Sequence, residues 1–362
     1  MEQLIDDIYE IIKDYRSDEG LSNVGMTKQR IRRWVEQFDE GDREFILTEM
    51  KNIFVKRYCS KAKGKEFLKK VVEKLTEDLK YKSPQDFLAK TVFLDLQLEG
   101  KSQKTMLKLL REILHSEYHY TLPEYYPEDV KHFVYLDDVL CTGNTLFQDM
   151  KEWCQGWYDE GRKNIDAIKD GTADFICAFI FIHEKNYYKK RAEMRRKICN
   201  EISEKHKMYR MFEIENSDSD ANAALDFLFP LEANQPQIVY DYKNKIVEQV
   251  DEYTKRYNTT SKEEFYRTVG RPQTEKLFSS ADNRTRFENI MLKKGVEVLN
   301  RAKTRVKNMR ALGFSLPSQK DFGFGTLCFT WRNVANNTPL VFWYSGGGLF
   351  PFFVKNQTNN VS

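Results

Sequence analysis

The sequence contains few cysteines and histidines for its length and no long apolar run. Of 362 residues, six are cysteine and five are histidine. They are not spaced as in a zinc site, and so few cysteines in so long a chain do not predict a disulfide scaffold. A reducing cytoplasm is therefore the expected location. The longest apolar run, Phe175–Ile182, falls short of the roughly 18–20 residues of a membrane span, so a soluble protein without membrane contact is expected.

The sequence also lacks an excess of charge of one sign. The 58 Lys+Arg and 55 Asp+Glu leave a net charge of +3, which argues against a dedicated polybasic nucleic-acid binder. Hydrophobic residues make up 41% of the chain, enough to form a core, so a disordered chain is excluded. The start of the chain, Met1–Asp14, is acidic with helical spacing and does not resemble a signal peptide.

Apolar spacing predicts three segments. Residues 1–84 show helical spacing with almost no strand signal, which predicts a helical N-terminal module. Residues 85–235 alternate short apolar strands with helices, which predicts an α/β core with a parallel sheet. Residues 236–362 begin with helices and end in an aromatic-rich extension. The core strands are predicted at Thr91–Leu96, Phe133–Leu136, Phe175–Ile182 and Tyr209–Ile214.

Two basic runs, each predicted to be a helix, interrupt the otherwise balanced charge. They are Lys185–Lys207 and Lys293–Arg310, the second within a helix predicted from Met291 to Arg310. Such runs are usually solvated surfaces, and neighbouring glutamates in the first run favour that interpretation. The alternative is contact with RNA or DNA phosphates, with Tyr187 and Tyr188 available to stack on bases.

The stretch from Phe133 to Thr145 has the strongest chemical pattern. A predicted strand is followed by Asp137 and Asp138, then by a tight turn and a predicted helix. Ligands bind at the carboxyl ends of strands in open α/β sheets, and helix N-termini bind phosphate. Carboxylates accept hydrogen bonds from a sugar cis-diol and can help hold a hydrated Mg²⁺. A polar strand end before an ordinary turn is the alternative.

This order resembles the phosphoribosyl-pyrophosphate (PRPP) motif of type I phosphoribosyltransferases. The resemblance implies that Asp137 and Asp138 hold the ribose 2′- and 3′-hydroxyls. It also implies that a five-residue turn surrounds the 5′-phosphate. The turn consists of Cys141, Thr142, Gly143, Asn144 and Thr145. Asn144 departs from the family, which often has glycine there, but Asn tolerates a left-handed backbone.

A second loop fits the same resemblance. In that enzyme class the first strand leads into a short pyrophosphate-binding loop and then a helix. The corresponding loop here contains Gly100, Lys101 and Ser102, which are expected to hold the leaving pyrophosphate. An ordinary strand–helix loop that contains Gly and Ser is an equally good interpretation.

The connection between the predicted helix ending near Leu114 and the motif strand is short. Catalytic members of the class have an extra strand pair and a mobile loop there, which exclude water from the reaction. Here only Ser116–Lys131 is available. It is either an abbreviated hood or a plain connector, and the connector is favoured. Hood contacts would come from His119, Tyr120 and Tyr126, whereas a connector would have its path set by Pro123 and Pro127.

The ends of the chain extend the resemblance to a phosphoribosyltransferase-like family with a C-terminal extension (PRTase-CE-like), found in bacterial antiphage systems. Trp34 and Phe38 match its N-terminal element, and Asn333–Leu340 matches a C-terminal Asn-rich element. Within it, Asn336 and Asn337 either form a structural turn, which is favoured, or fold over the ligand in place of a hood. The family implies a retron-type partner, a reverse transcriptase with its RNA or DNA.

Two functions follow from these patterns. The first is a phosphoribosyltransferase-like effector that binds a phosphorylated ribose (PRPP or a nucleotide) with Mg²⁺ and transfers or hydrolyses the ribosyl group. The alternative is a non-catalytic module that senses a nucleotide or nucleic acid in a defence ribonucleoprotein. Whether the protein is an enzyme, and its oligomeric state, are open at this point.

Overall fold

The chain forms two compact units. The computed structural model describes residues 1–19, 24–123, 129–204, 207–216, 224–302, 306–346 and 348–355. The sheet unit is Lys61–Ile214, and the terminal unit combines Met1–Ser60 with Glu215–Ser362. These units divide the chain after Ser60 and Ile214, whereas the three predicted segments divide it after residues 84 and 235.

Helices dominate the described residues. The helices are α1 (Glu2–Ile12), α2 (Lys28–Val35), α3 (Glu40–Arg57), α4 (Lys61–Asp78), α5 (Pro84–Leu88), α6 (Ser102–Tyr118), α7 (Asn144–Trp153), α8 (Asn164–Asp170), α9 (Glu184–Lys197), α10 (Glu201–Glu204), α11 (Gln237–Tyr257), α12 (Ala281–Arg301) and α13 (Leu340–Trp343). The strands are β1 (Tyr58–Cys59), β2 (Thr91–Phe93), β3 (His132–Leu140), β4 (Asp174–His183), β5 (Lys207–Ile214) and β6 (Phe329–Thr330). Among these helices, none combines the length and apolar character needed to cross a bilayer.

The sheet unit is built on four parallel strands in the order β2-β3-β4-β5. Each neighbouring pair is joined by one or more helices, the crossover that a parallel pair requires. The register places Phe133 opposite Phe175 and Tyr135 opposite Cys177. This arrangement confirms the predicted α/β core with a parallel sheet.

Helices cover both faces of the central strands. Nearly every residue of β3 and β4 is buried, as expected when neither face meets water. One face packs in a cluster with α7 to α10, through side chains such as Phe147 and Met194. Helix α6 contacts β3, and α4 contacts both α6 and β4. Strand β3, which carries the acidic motif, is therefore covered on both faces.

The terminal unit joins the two ends of the chain in one core. The indole Nε1 of Trp34 donates a hydrogen bond to the Val341 carbonyl at 2.7 Å, and its ring stacks on Phe342 with centroids 5.5 Å apart. Strand β1 pairs in parallel with β6, with Tyr58 opposite Phe329. The two-residue strand β1 lies within the segment predicted to be helical with almost no strand signal.

The two basic helices have different bounds from those predicted. Helix α9 ends at Lys197, and the carbonyl of Asn200 accepts hydrogen bonds from the backbone N–H groups of Ser203 and Glu204 in a new turn, α10. Helix α12 ends at Arg301, so Lys307 and Arg310 lie beyond it. Five residues of these runs lie outside the described residues: Lys205, His206, Lys303, Thr304 and Arg305.

Candidate functional site

The acidic pair lies within β3 and not after its end. Strand β3 stays paired with β4 as far as Leu140, which is opposite Ile182. The predicted strand end at Leu136 is therefore wrong, because the parallel ladder continues past both acids. Asp137 and Asp138 are 7% and 4% exposed.

The carboxylate of Asp137 accepts three hydrogen bonds. The Ser102 hydroxyl donates to Oδ1 at 2.6 Å, and the backbone N–H of Asp138 donates to the same oxygen at 2.9 Å. The side-chain amide of Gln97 donates to Oδ2 at 2.9 Å. Ser102 is the first residue of α6, and Gln97 lies in the loop before it. The structure thus brings together the acidic motif and the loop predicted to bind pyrophosphate.

Gln103 fixes this loop against the sheet. Its side chain is fully buried, and its Oε1 accepts hydrogen bonds from the backbone N–H groups of Leu96 and Gln97 at 2.8 and 3.0 Å. Its Nε2 donates to the carbonyl of Leu136 on β3 at 3.3 Å. Gly100 lies at the exposed tip with φ +85°, a left-handed conformation that glycine adopts without strain. A side chain that the sequence reasoning did not select therefore sets the distance between the loop and β3.

The carboxylate of Asp149 extends the network to α7. The Tyr135 hydroxyl donates to Oδ2 of Asp149 at 2.7 Å, and Gln97 donates to the Tyr135 hydroxyl at 2.8 Å. Gln97, Tyr135 and Asp149 were not identified as site residues from the sequence. Only Tyr135 had a local signal, because it precedes Asp137 by two positions and so shares its face of the strand.

Burial dominates the electrostatics of this network. Burial, with the nearby charge of Asp138, raises the pKa of Asp137 to about 7, although the hydrogen bonds from Ser102 and Gln97 act in the opposite direction. Burial also raises the pKa of Asp149 and of the Tyr135 hydroxyl. Asp137 is therefore partly protonated near neutral pH, and a ligand that donates hydrogen bonds would favour its ionised form.

The predicted phosphate turn connects β3 to α7. Gly143 has φ +70° and immediately precedes α7, whereas Asn144 is the first helical residue. The left-handed position of the turn is therefore Gly143, and Asn144 does not need the unusual backbone expected of it. Asn144 and Thr145 are exposed at the start of α7, Thr142 is partly exposed, and Cys141 is buried. The backbone N–H groups of this first turn form the kind of site that binds phosphate.

Helix α9 supports the turn from the side. The Asn186 side-chain amide donates to the carbonyl of Cys141 at 3.0 Å. A Cβ atom at Gly143 would lie 2.6 Å from Cγ of Lys190. Close packing against α9, in addition to the backbone angle, thus accounts for glycine at this position.

The predicted hood region is short. Helix α6 continues to Tyr118, beyond the predicted end near Leu114, and His119 follows it with φ +50°. Tyr120 closes the helix end, donating its backbone N–H to the Leu114 carbonyl at 3.0 Å. Tyr126 and Pro127 lie outside the described residues.

Asn336 and Asn337 belong to the terminal unit, where their side chains have structural partners. Lys355 donates to Oδ1 of Asn336, and the Asn337 side-chain amide donates to the Phe314 carbonyl at 2.8 Å. The backbone N–H of Phe314 donates to the Asn336 carbonyl at 2.9 Å. These are the contacts of a turn that holds neighbouring segments together. A role in covering the ligand stays a prediction.

The two carboxylates of the acidic pair can hold a metal ion only if other ligands complete its coordination shell. The described part of the chain holds no group of three or more His, Cys, Asp or Glu side chains able to bind a metal ion. Mg²⁺ commonly takes one or two carboxylates and completes its shell with phosphate oxygens and water. Asp137 and Asp138 are carboxylates of the kind that such an ion takes.

Comparison with known proteins identifies the family. A search of curated proteins and a search of solved structures each found no match. The model of the PRTase-CE family matches residues 31–354, which include the acidic motif, both loops and the Asn-rich element. This match confirms the resemblance inferred from the sequence and the phosphoribosyltransferase-like α/β fold class. The chain belongs to the PRTase-CE family.

Proposed function

We propose that the sheet unit binds a phosphorylated ribose, PRPP or a nucleotide, together with Mg²⁺. Asp137 and Asp138 accept hydrogen bonds from the ribose hydroxyls, and the turn before α7 binds the 5′-phosphate. The observation that carries the proposal is the 2.6 Å hydrogen bond from Ser102 to Asp137. It joins the loop expected to bind the pyrophosphate to the strand residue expected to bind the ribose.

The carboxylate of Asp137 can accept a further hydrogen bond from a sugar hydroxyl. A carboxylate offers about four acceptor positions, and three donors already use those of Asp137. A ribose hydroxyl takes the remaining position or replaces Ser102. Burial raises the pKa of Asp149, and the charge of Lys101 partly opposes this shift, which supports a position of Lys101 beside this network.

The same arrangement suits ribosyl transfer. Positive charge develops on the sugar as the bond to the leaving group breaks, and buried carboxylates stabilise it. Lys101 and the N-terminus of α6 stabilise the negative charge of the departing pyrophosphate. Mg²⁺ would neutralise part of that charge when it is bound with the pyrophosphate. The proposal includes a cytoplasmic role in antiphage defence beside a reverse transcriptase and its RNA or DNA, on the ground of the family resemblance.

The short connector before β3 favours a second function, a non-catalytic nucleotide- or nucleic-acid-sensing module. No strand is present in the described residues between α6 and β3. A covering element excludes water during transfer chemistry, and a binding module does not require one.

Calorimetric titration with PRPP, with and without Mg²⁺, tests the proposal. The wild-type protein is expected to bind saturably. The Asp137→Asn/Asp138→Asn variant is expected to bind on the order of 100-fold more weakly, because each hydrogen bond to a charged group is worth roughly 1.5–3 kcal/mol. Unchanged affinity in this variant would contradict the proposal.

The matched control is Asp159→Asn/Asp170→Asn, which removes two exposed carboxylates that pair with Arg162 in the same unit. This control is expected to retain wild-type affinity. Release of pyrophosphate from bound PRPP, with water or an added nucleobase as the ribosyl acceptor, would identify an enzyme. Binding without release in the presence of each nucleobase would support the sensing module.

A further inference from the structure

The terminal unit contains a cavity, and the residues that line it are distant in sequence from those of the proposed ribose site. Its volume is about 350 Å³, within the roughly 300–1,000 Å³ of small-molecule sites. Helix α11 forms one wall, and Leu299 of α12 with residues 306–317 forms the other. Part of the second basic run therefore lines a cavity, although the sequence favoured a solvated surface for it.

Positive charge predominates in the lining. Four basic side chains face one acidic side chain, Glu252. The basic side chains are Lys245, Arg256, Lys307 and Arg310. Within the described part of the chain, Lys245, Arg256 and Lys307 form no ion pair. A small anion would find several charged donors there.

Arg310 differs from the other three because it is buried. Its side chain is 3% exposed, and Nη1 donates to the carbonyls of Lys307 and Met309 at 2.7 and 3.3 Å. Its Nε has no hydrogen-bond partner among the described residues. The nearby carboxylate of Asp321 instead accepts from Ser315 at 2.6 Å and from Gly323 at 2.9 Å. The charge of Arg310 acts on Asp321 but leaves the buried Nε without a hydrogen bond in the described part of the chain, which is costly, and a bound anion that accepts from Nε would lower that cost.

Aromatic side chains form another part of the cavity wall. The rings of Tyr253 and Tyr257 lie with centroids 4.5 Å apart, and Tyr257 is 53% exposed. The Arg256 guanidinium lies 5.5 Å from the Tyr257 ring centroid. The Tyr242 hydroxyl accepts a hydrogen bond from the backbone N–H of Ala311 at 3.2 Å, which ties the two walls together. Exposed tyrosine faces beside basic groups are the features that bind a base and its phosphate.

We propose that this cavity is a second binding site, for a nucleoside phosphate. The phosphate lies against Arg310, Lys307 and Arg256, and the base stacks on Tyr253 or Tyr257. The ligand is either a free mononucleotide or the 5′-phosphorylated end of a single strand, which share this chemistry. The proposal does not depend on ligand binding in the sheet unit.

Titration of the Asp137→Asn/Asp138→Asn variant isolates the cavity, because that background disables the proposed ribose site. Adenosine 5′-monophosphate is expected to bind saturably to this protein. Adding Arg256→Gln and Lys307→Gln is expected to weaken binding about tenfold or more, since charged hydrogen bonds are lost. Adding Lys255→Gln instead serves as the control, because Lys255 is an exposed cation of the same helix outside the cavity lining.

The aromatic contact has its own test. In the same background, Tyr253→Leu is expected to weaken binding of adenosine 5′-monophosphate roughly fivefold and leave ribose 5-phosphate unaffected. A 5′-phosphorylated oligonucleotide that binds more tightly than the mononucleotide identifies a strand end as the ligand, and the reverse order identifies a free nucleotide.

Three results would overturn the proposal: no saturable binding at millimolar concentration, equal loss with Lys255→Gln, or equal affinity for ribose 5-phosphate. Thermal unfolding of each variant shows that it is folded. If the proposed ribose site is wrong but the cavity is a nucleotide site, wild-type protein and the Asp137→Asn/Asp138→Asn variant are expected to bind adenosine 5′-monophosphate with equal affinity.

Discussion

Asp137 is a buried acid whose ionisation opposes folding at neutral pH. Its pKa is about 7 in the folded protein against an ordinary value of 3.8, chiefly because burial disfavours the charged form. The folded state therefore holds the proton more tightly than the unfolded chain between these two values. This group makes the unfolding free energy fall as pH rises from about 4 to about 7.

Asp137→Asn is therefore expected to change how stability depends on pH. The amide cannot ionise, so the variant gains stability relative to wild type by on the order of a few kcal/mol between pH 5 and pH 8. Urea unfolding followed by circular dichroism at both pH values measures this difference. Asp159→Asn is the control, because Arg162 lowers the pKa of the exposed Asp159 carboxyl and no such gain is expected. Parallel curves for wild type and Asp137→Asn would contradict the assigned environment.

The same pKa predicts that a ligand donating hydrogen bonds to Asp137 binds more tightly as pH rises through 7.

At the residue scale, the motif alone was enough to select Asp137 and Asp138. It could not select Gln97, Gln103 or Asp149, because their contacts depend on how a loop and a helix pack against β3.

At the scale of elements, most helices and strands could be predicted from apolar spacing, and the errors have physical causes. Strand β3 was ended too early because acidic residues seldom continue a strand, yet pairing with β4 carries it on. The start of α12 was missed although Ser280 caps it, accepting a hydrogen bond from Asn283 at 3.1 Å. Arg284 and Glu288 are both fully buried in its first turns. Because these two positions are charged, the first turns of α12 had a weak apolar signature.

Gly143→Ala tests the packing between the phosphate turn and α9. The new methyl group must adopt φ +70° and would lie 2.6 Å from Cγ of Lys190. We expect a loss of about 1–3 kcal/mol of unfolding free energy from backbone strain and overpacking. Chemical denaturation of the full chain gives this value.

Gly100→Ala is the matched control, because Gly100 also has positive φ but no atom lies within 4 Å of its added Cβ. The Gly100→Ala variant introduces only the backbone strain, so we expect a smaller loss of unfolding free energy than in Gly143→Ala. Lys190→Ala in the Gly143→Ala background should recover part of the loss by removing Cγ. No recovery would show that crowding by Lys190 is not the cause.

At the scale of the whole molecule, the association of the two chain ends could not be predicted from the sequence. The union of the two chain ends depends on contacts such as Trp34 with Val341, which lie far apart in sequence and leave no local pattern. The family resemblance linked the same two regions only as paired sequence elements. Spacing could indicate the α/β core because each of its elements is short and periodic.

The position of bound PRPP in a crystal structure of the wild-type protein with Mg²⁺ tests the central claim most directly. The account predicts ribose hydroxyls within hydrogen-bond distance of Asp137 and Asp138, about 2.5–3.2 Å. It also predicts the 5′-phosphate at the backbone N–H groups of residues 142–145 and the pyrophosphate beside Lys101 and Ser102. PRPP bound with its ribose away from the acidic pair, or with its 5′-phosphate away from the start of α7, would contradict the account.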